Sequence, residues 1–572
     1  MVCKVAPKLE YSPRRNDGQD CAVHEVVDYE TALDSAGYGR FSRSVLGACA
    51  CAFLATGVQN CVMSYVLPAA RCQLALTTYQ AGLINMAFMS GGVASAFFWG
   101  IVADVFGRRN MLSSTLLVDS AILLGQSCIS DFRLLLAARS LDGFLIGATS
   151  TLVFSYLSDL VGEKKRQFYL DLVGMSFVAA WLILPALAWL IIPFNVGSTK
   201  WLPIHSWRLY LALGSIPGFI AGVWVMFLPE SPRLLSDTNR GDMAVKIMER
   251  IYKSNNGDTT EFKVKKIIPD NIFVSKTQNG EENKTKALFI SVLKDLKLFV
   301  SKAYAMKSSL ILFVFFANMA AGFGLNLWIP ELLLRMQGKE CMQHSQTNTP
   351  FNATLAWRER VPKTYGVDAR LEVGQYNETL EAHDGTKVPC DQIIDDSVFT
   401  SGLIVGACCV VGNIVCAVCA RGGARGVRLA AVLCALACAL ACVCLAISAC
   451  ACARAPLAVA AAAVLNAASL NGNVLLIRLI LHALPAKLSG LGVCWGAFWG
   501  RAGGVASNLA VGTLLDFSCQ APFISVAALL ALSIIAIVMI KLEETKTVDD
   551  EKMEVEVQEK PAALERYIST HI

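Results

Sequence analysis

Residues 308–330 read SSLILFVFFANMAAGFGLNLWIP, and this stretch decides the fold class. It is an almost unbroken apolar run, near the roughly 20 residues that a helix needs to cross a bilayer. Residues 521–540 (APFISVAALLALSIIAIVMI) repeat the pattern. Working outward, further candidate spans fall at 44–68, 79–102, 110–128, 133–157, 168–193 and 208–228. Beyond 308–330 come 398–419, 427–450, 455–480, 487–512 and 521–541. The polar segment 229–307 divides them, so the expected fold is an all-α membrane protein with twelve transmembrane helices in two six-helix halves.

Composition agrees. Of 572 residues, 55% are apolar and 17% charged, with a mean hydropathy of +0.51. Average soluble domains are nearer 45–50% apolar and about 25% charged. That shift excludes a disordered chain, a coiled coil and a small disulfide scaffold. The net charge of +5 comes from residues scattered in short loops and a mixed 230–307 segment, with no basic stripe among aromatics, so nucleic acid is not an expected partner. Ten of the 21 cysteines lie in 408–452 among Ala, Val and Leu, with no His there. They read as small packing residues, and no metal site is expected. With six His in the chain and no phosphate-cradling Gly loop before a Lys, neither an enzyme with catalytic residues, nor ATP-driven pumping, nor a cofactor is expected.

Short-loop basic residues set the orientation. Arg108 and Arg109 follow the second span, Lys164, Lys165 and Arg166 the fourth, Arg421, Arg425 and Arg428 the eighth, and Lys487 the tenth. The alternate loops carry about one each: Arg71, Arg133, Lys200 and Arg454. The expected layout is a cytoplasmic segment 1–43, a first half 44–228, a cytoplasmic central loop 229–307, a second half 308–541 and a cytoplasmic tail 542–572. Within the central loop, Ala244, Ile247, Met248 and Ile251 have the spacing of an amphipathic helix against the bundle or membrane surface. The loop 335–397 then faces outside or a vesicle lumen. It holds the sequons at Asn352 and Asn377 and two cysteines, Cys341 and Cys390, which form a bridge or stay free thiols.

Three patterns point to mechanism. Gly100-Ile-Val-Ala-Asp104-Val-Phe-Gly107-Arg108-Arg109 places a carboxylate beside two guanidinium groups at a short turn between helices, the parts of a charge-assisted latch. Arg139-Ser-Leu-Asp-Gly143-Phe-Leu-Ile-Gly147 sets a charge inside a span, where it needs a partner, and two glycines one turn apart for close helix packing. Pro229-Glu230-Ser231-Pro232-Arg233 follows the sixth span. Together these resemble the signatures of the major facilitator superfamily. The resemblance implies that the first turn helps hold the two halves together on the cytoplasmic side, with Glu230 and Arg233 in the same gate. For Arg139 it implies proton coupling or gating, against the plainer role of tying helices together. The last motif resembles that of sugar and organic-ion carriers.

Gly37-Tyr-Gly39-Arg40-Phe41, Ser64-Tyr-Val-Leu-Pro68, Val153-Phe-Ser155-Tyr156-Leu-Ser158-Asp159, Glu163-Lys-Lys-Arg166, Ile191-Ile-Pro193 and His205-Ser-Trp207-Arg208 narrow the likeness to the synaptic vesicle glycoprotein 2 family. That resemblance implies a transporter-like glycoprotein of the plasma membrane or a secretory vesicle. Two acids common in that family's first span are replaced here by Thr56 and Gln59, and the second signature turn, Ala420–Arg425, lacks its Asp.

Polar and aromatic residues at mid-span are the candidates for solute contact: Thr56, Gln59, Asn60, Trp181, Asn318, Asn326, Trp328, Asn466, Asn471, Asn473, Trp495 and Trp499. Each could instead only bond a neighbouring helix or sit at the headgroup belt. Amides and aromatics with few acids suit a neutral polyol, a sugar or a flat organic molecule. The expected function is secondary transport of a small organic solute by a functional monomer in the lipid bilayer. The alternative is a vesicle glycoprotein that has lost transport and serves as scaffold or receptor, with sorting or vesicle partners in the cytoplasm.

Overall fold

The computed structural model describes residues 26–70, 73–74, 76–95, 98–193, 205–237, 240–257, 304–332, 396–419, 423–451, 455–484 and 486–540. Two short strand pairs and isolated positions between 262 and 301 complete the described set. Asn352, Asn377, Cys341, Cys390 and the tail 542–572 lie outside it.

The first half is built from α1 (Tyr29–Ser35), α2 (Arg40–Cys61), α3 (Met63–Ala70), α4 (Thr78–Ser95), α5 (Phe98–Phe106), α6 (Arg108–Gln126), α7 (Phe132–Leu160), α8 (Glu163–Ile191), α9 (Ser206–Gly214) and α10 (Ile216–Met226). After α11 (Pro232–Asp237) and α12 (Gly241–Asn256) comes the second half. It comprises α13 (Ala305–Met319), a π-helical turn (Ala320–Leu325), a 3-10 turn (Asn326–Trp328), α14 (Asp396–Cys419), α15 (Gly423–Ala451), α16 (Ala455–Ala483), α17 (Ala486–Phe517) and α18 (Ala521–Met539). Among the described residues, nine helices are long and apolar enough to cross a membrane. Helices α4 with α5, α6 and α17 lie at the positions of the other three expected spans.

Large apolar side chains such as Phe219, Leu433 and Ile535 are exposed on the outside of the bundle, as lipid contact requires. Inside, close approach rests on small residues, because lipid tails remove the hydrophobic drive between helices. A Cβ on Gly143 would meet the Phe88 carbonyl oxygen at 1.8 Å, and one on Gly147 the Ser95 hydroxyl at 1.9 Å, so α7 lies tightly on α4. In the second half, a Cβ on Gly503 would meet the Phe316 carbonyl at 2.3 Å. Gly107 turns α5 into α6 with φ +96°, a conformation that favours glycine. Asp131 caps α7 by accepting from the Leu134 N–H at 2.9 Å.

A small extramembrane unit sits at the end that carries Arg108. Strand β1 (Val26–Asp28) pairs in parallel with β2 (Lys266–Ile268). Helix α12 buries Ala244, Met248 and Ile251, and the first two pack in one cluster with Tyr29, Leu33, Leu235 and Val264. The amphipathic helix therefore covers the segment before the first span. Elsewhere, β3 (Thr379–Glu381) and β4 (Lys387–Pro389) form an antiparallel pair within the long loop.

Candidate functional site

Among the described residues, three polar clusters involve the residues expected at the site. The first is charged and lies wholly in the first half. Arg139 of α7 donates to the Gln59 side-chain oxygen at 2.8 Å, to the Gln59 carbonyl at 3.1 Å, and to Asp142 at 3.2 Å. Gln59 in turn donates from Nε2 to Asp119 of α6 at 2.8 Å, and Gln126 donates to Asp142. The guanidinium also stacks 4.3 Å from the centre of the Phe88 ring. All five polar residues are buried. Arg139 thus has its partner three residues on in its own helix, a pairing that the i, i+3 spacing allowed one to foresee. Gln59, expected at the solute, is held by this network, and Thr56 bonds back to the Ala52 carbonyl of its own helix. Asn60 does the same to Thr56.

The second cluster is neutral and lies in the second half. Asn318 donates to the Ser469 carbonyl at 3.0 Å and to Asn473 at 2.8 Å. Asn326 donates to Asn466 at 2.9 Å and to the Ser469 hydroxyl at 3.3 Å. Trp328 donates to Asn508 at 3.2 Å. Asn471 bonds to its own helix at Ala467. Trp495 packs with the cluster around Phe315 and Leu479, and Trp499 is exposed. These last three stand apart from the central crevice.

Between the halves lies that crevice, with about 30 Å³ open to a water-sized sphere, enough for one or two waters. Cys61, Ser64, Tyr65, Trp181, Asn326 and Asn466 contribute to its wall. Four buried polar atoms of this wall have no hydrogen-bond partner in the structure: Ser64 Oγ, Trp181 Nε1, Asn326 Oδ1 and Asn466 Nδ2. Donors and an acceptor from both halves therefore converge on one space. Trp181, Asn326 and Asn466 were legible as mid-span polar groups; Ser64 and Tyr65 were quoted only for a family likeness. Beside the crevice the halves are shut. Tyr65 and Phe399 stack with ring centres 6.4 Å apart, and Gly406 of α14 abuts the Trp181 carbonyl. Deeper in, Arg501 of α17 crosses to the first half, donating to the Gly92 carbonyl at 2.7 Å and the Ser150 hydroxyl at 3.2 Å.

The third cluster lies at the Arg108 end. The side chain of Asp104 lies outside the described set; among the described residues, Asp159 at the end of α7 pairs with Arg108. Asp159 also accepts from the Ser231 hydroxyl at 2.5 Å. Glu230 accepts from the Arg109 backbone N–H at 3.0 Å, and the Arg109 guanidinium donates to the Met226 carbonyl. Arg233 pairs with Glu30 of α1 at 3.2 Å, and Glu30 also holds Arg166 at 2.5 Å. Gly100 has open space around it. The described contacts of this turn therefore tie α6, α7 and the extramembrane unit together, all within the first half. Nearby, Tyr38 donates to Asp34 at 2.9 Å. Burial and that carboxylate push the phenol up to about 12. The sequence pattern marked the basic turn and Glu230; Glu30, in a segment read as merely polar, carried no signal.

The chain is thus a helical bundle in two halves around a polar crevice, with a basic turn between α5 and α6. The family model described as the Major Facilitator Superfamily matches residues 48–348, more than half of the chain, and the protein belongs to that superfamily. Among curated relatives, synaptic vesicle glycoprotein 2B of Rattus norvegicus is 27% identical over 344 residues, covering 57% of this chain and 50% of that protein. Synaptic vesicle glycoprotein 2C of Mus musculus is 31% identical over 249 residues, covering 43% and 33%. The chain thus spans half or less of the length of these relatives. In three dimensions it resembles the inward-open xylose transporter of E. coli, with a TM-score of 0.59 at 13% identity, covering 90% of this chain and 99% of that one. A nucleoside transporter gives 0.55 at 11% identity, covering 87% and 99%. The protein is a multi-pass membrane protein of that superfamily.

Proposed function

We propose that the protein is a secondary carrier of a small, neutral, hydroxyl-bearing organic solute, working by alternating access of its two halves. The observation that supports this most is the set of unpartnered polar atoms on the crevice wall. Trp181 Nε1 and Asn466 Nδ2 donate, Asn326 Oδ1 accepts, and Ser64 Oγ does either. A buried polar atom left without a partner costs about 1–3 kcal/mol, so a ligand with alternating hydroxyls gains where it satisfies them. The carbon faces of such a solute suit Trp181 and Tyr65. Among the described residues that line this crevice none is a carboxylate, and the acid Glu331 lies on the adjoining crevice that shares Ser64. The xylose transporter among the fold neighbours is consistent with this class.

The crevice as it stands admits only water, so the halves must part for a solute to enter. The carrier reading therefore has the closed Tyr65–Phe399 end as one gate. We place that end outside the cytoplasm, because the basic residues gather at the other one. Cys519, at the Tyr65 end, is disulfide-bonded, in keeping with an oxidising face. Both termini are then cytoplasmic, in a plasma or vesicle membrane, with the monomer as the working unit. Purified protein in liposomes should give saturable uptake and counterflow of a hydroxylated solute from a broad panel. Folded protein that moves none of the panel would defeat the proposal. The water-sized crevice favours the second reading, a scaffold or receptor that no longer transports, and the same screen decides between them.

A further inference from the structure

The charged cluster in the first half is out of balance. Asp119 and Asp142 share one guanidinium, that of Arg139, and all three are at most 2% exposed. Two ionised acids would leave a unit of negative charge buried in a membrane protein, where an uncompensated charge costs several kcal/mol. The hydrogen bonds say which acid carries the excess. Arg139 donates directly to Asp142 but reaches Asp119 only through Gln59. Because a guanidinium can only donate, the Gln59 atom facing it is the amide oxygen, and Nε2 is thereby aimed at Asp119 Oδ2. The other oxygen, Asp119 Oδ1, is buried and has no partner in the structure, and the same holds for Asp142 Oδ1, so the two acids differ in the guanidinium, which bonds Asp142 directly and reaches Asp119 only through Gln59.

Among the described residues, the elements that face Asp119 leave it so. Helix α7 contributes Arg139 and Asp142 and α2 contributes Gln59. Helix α10 (IPGFIAGVWVM) has no titratable residue. Arg208 of α9 is engaged with Ser127, Ile129 and Ser130, beyond the far end of α6.

We propose that Asp119 is a proton-binding site of this protein: its carboxyl carries a proton on the unpartnered oxygen in the closed conformation, while Asp142 stays ionised against Arg139. This builds on the carrier reading and supplies it with an ion. The first span, which lacks acids of its own, takes part through Gln59, the link between the proton site and the guanidinium. On the other side of Gln59 in sequence, Cys61 and Ser64 of the same span region line the crevice. Parting of the halves wets α2 and lets the proton leave to water, and closing requires that it be taken up again.

The test is infrared spectroscopy of the full-length protein in lipid nanodiscs at neutral pH. The wild type should show the carbonyl stretch of a protonated carboxylic acid. Asp119→Asn should lose that band and Asp119→Glu should shift it, whereas Asp142→Glu, which keeps the same count of acids, should leave it in place. Raising the pH on wild-type protein should remove the band, which gives a reading even if a variant fails to fold. Absence of the band from the wild type at neutral pH, or its survival in Asp119→Asn, overturns the proposal. No solute enters this measurement. A missing band would thus remove the proton site alone, and a failed uptake screen would remove the carrier alone.

Discussion

The two halves solve the same problem with different chemistry. Each must bury polar groups between helices in a bilayer, yet the first does so with two acids, an arginine and two glutamines, and the second with asparagines, a serine and a tryptophan. A charged network is stable only while every member is present; an amide network degrades by one bond at a time. The half that holds charge is therefore suited to an all-or-none switch, and the neutral half to graded recognition of a neutral solute. The four open valences of the crevice draw one residue pair from each side, Ser64 with Trp181 and Asn326 with Asn466.

This contrast can be broken most sharply at Arg139. Arg139→Leu leaves Asp142 buried without its cation and should destabilise the protein by about 3–5 kcal/mol, read as a fall in the unfolding midpoint in detergent. Asp159→Asn, which removes one ion pair of Arg108 in the same half, should act in the same direction with a smaller loss, because Arg108 is 11% exposed. In the second half, Asn318→Leu leaves Asn473 without one bond and should cost only about 1–3 kcal/mol. If Asn318→Leu proved as damaging as Arg139→Leu, the distinction between the halves would fail. Trp181→Phe keeps the ring and removes one donor. It should leave the midpoint nearly unchanged and, under the carrier reading, weaken solute binding on the order of tenfold. Smallest of all, Glu30→Gln at the half-exposed bridge to Arg166 and Arg233 should cost under about 1 kcal/mol, and increasing salt should shrink the difference from wild type.

The same contrast explains what the sequence could disclose. Span positions, the turn at Gly107 and the packing glycines Gly143 and Gly147 follow from apolar runs and from local sterics, and these are visible in one dimension. The pairing of Arg108 with Asp159 was not, because Asp159 is remote in sequence from it. Mid-span polar residues were legible as a set, but not which of them would meet. Gln59 and Trp181 look alike as candidates in the chain, yet one is locked into the charged cluster and the other opens onto the crevice. Trp495 and Trp499 share a helix face, and that face turns away from the crevice because α17 presents Asn508 and Arg501 to its neighbours instead.

One feature of the seventh span bears on motion. Its helix widens to π pitch over Ala320–Leu325, with Asn318 just before the wide turn and Asn326 just after it. The two amides reach the same residue, one at the Ser469 carbonyl and the other at the Ser469 hydroxyl. With an ordinary α pitch between them, the intervening residues would wind further and the two side chains would point apart. The wide turn therefore acts like a slipped stitch. Drawing it tight would release one asparagine from Ser469 and swing it around the helix axis, changing the outline of the crevice while the rest of the second half stayed still.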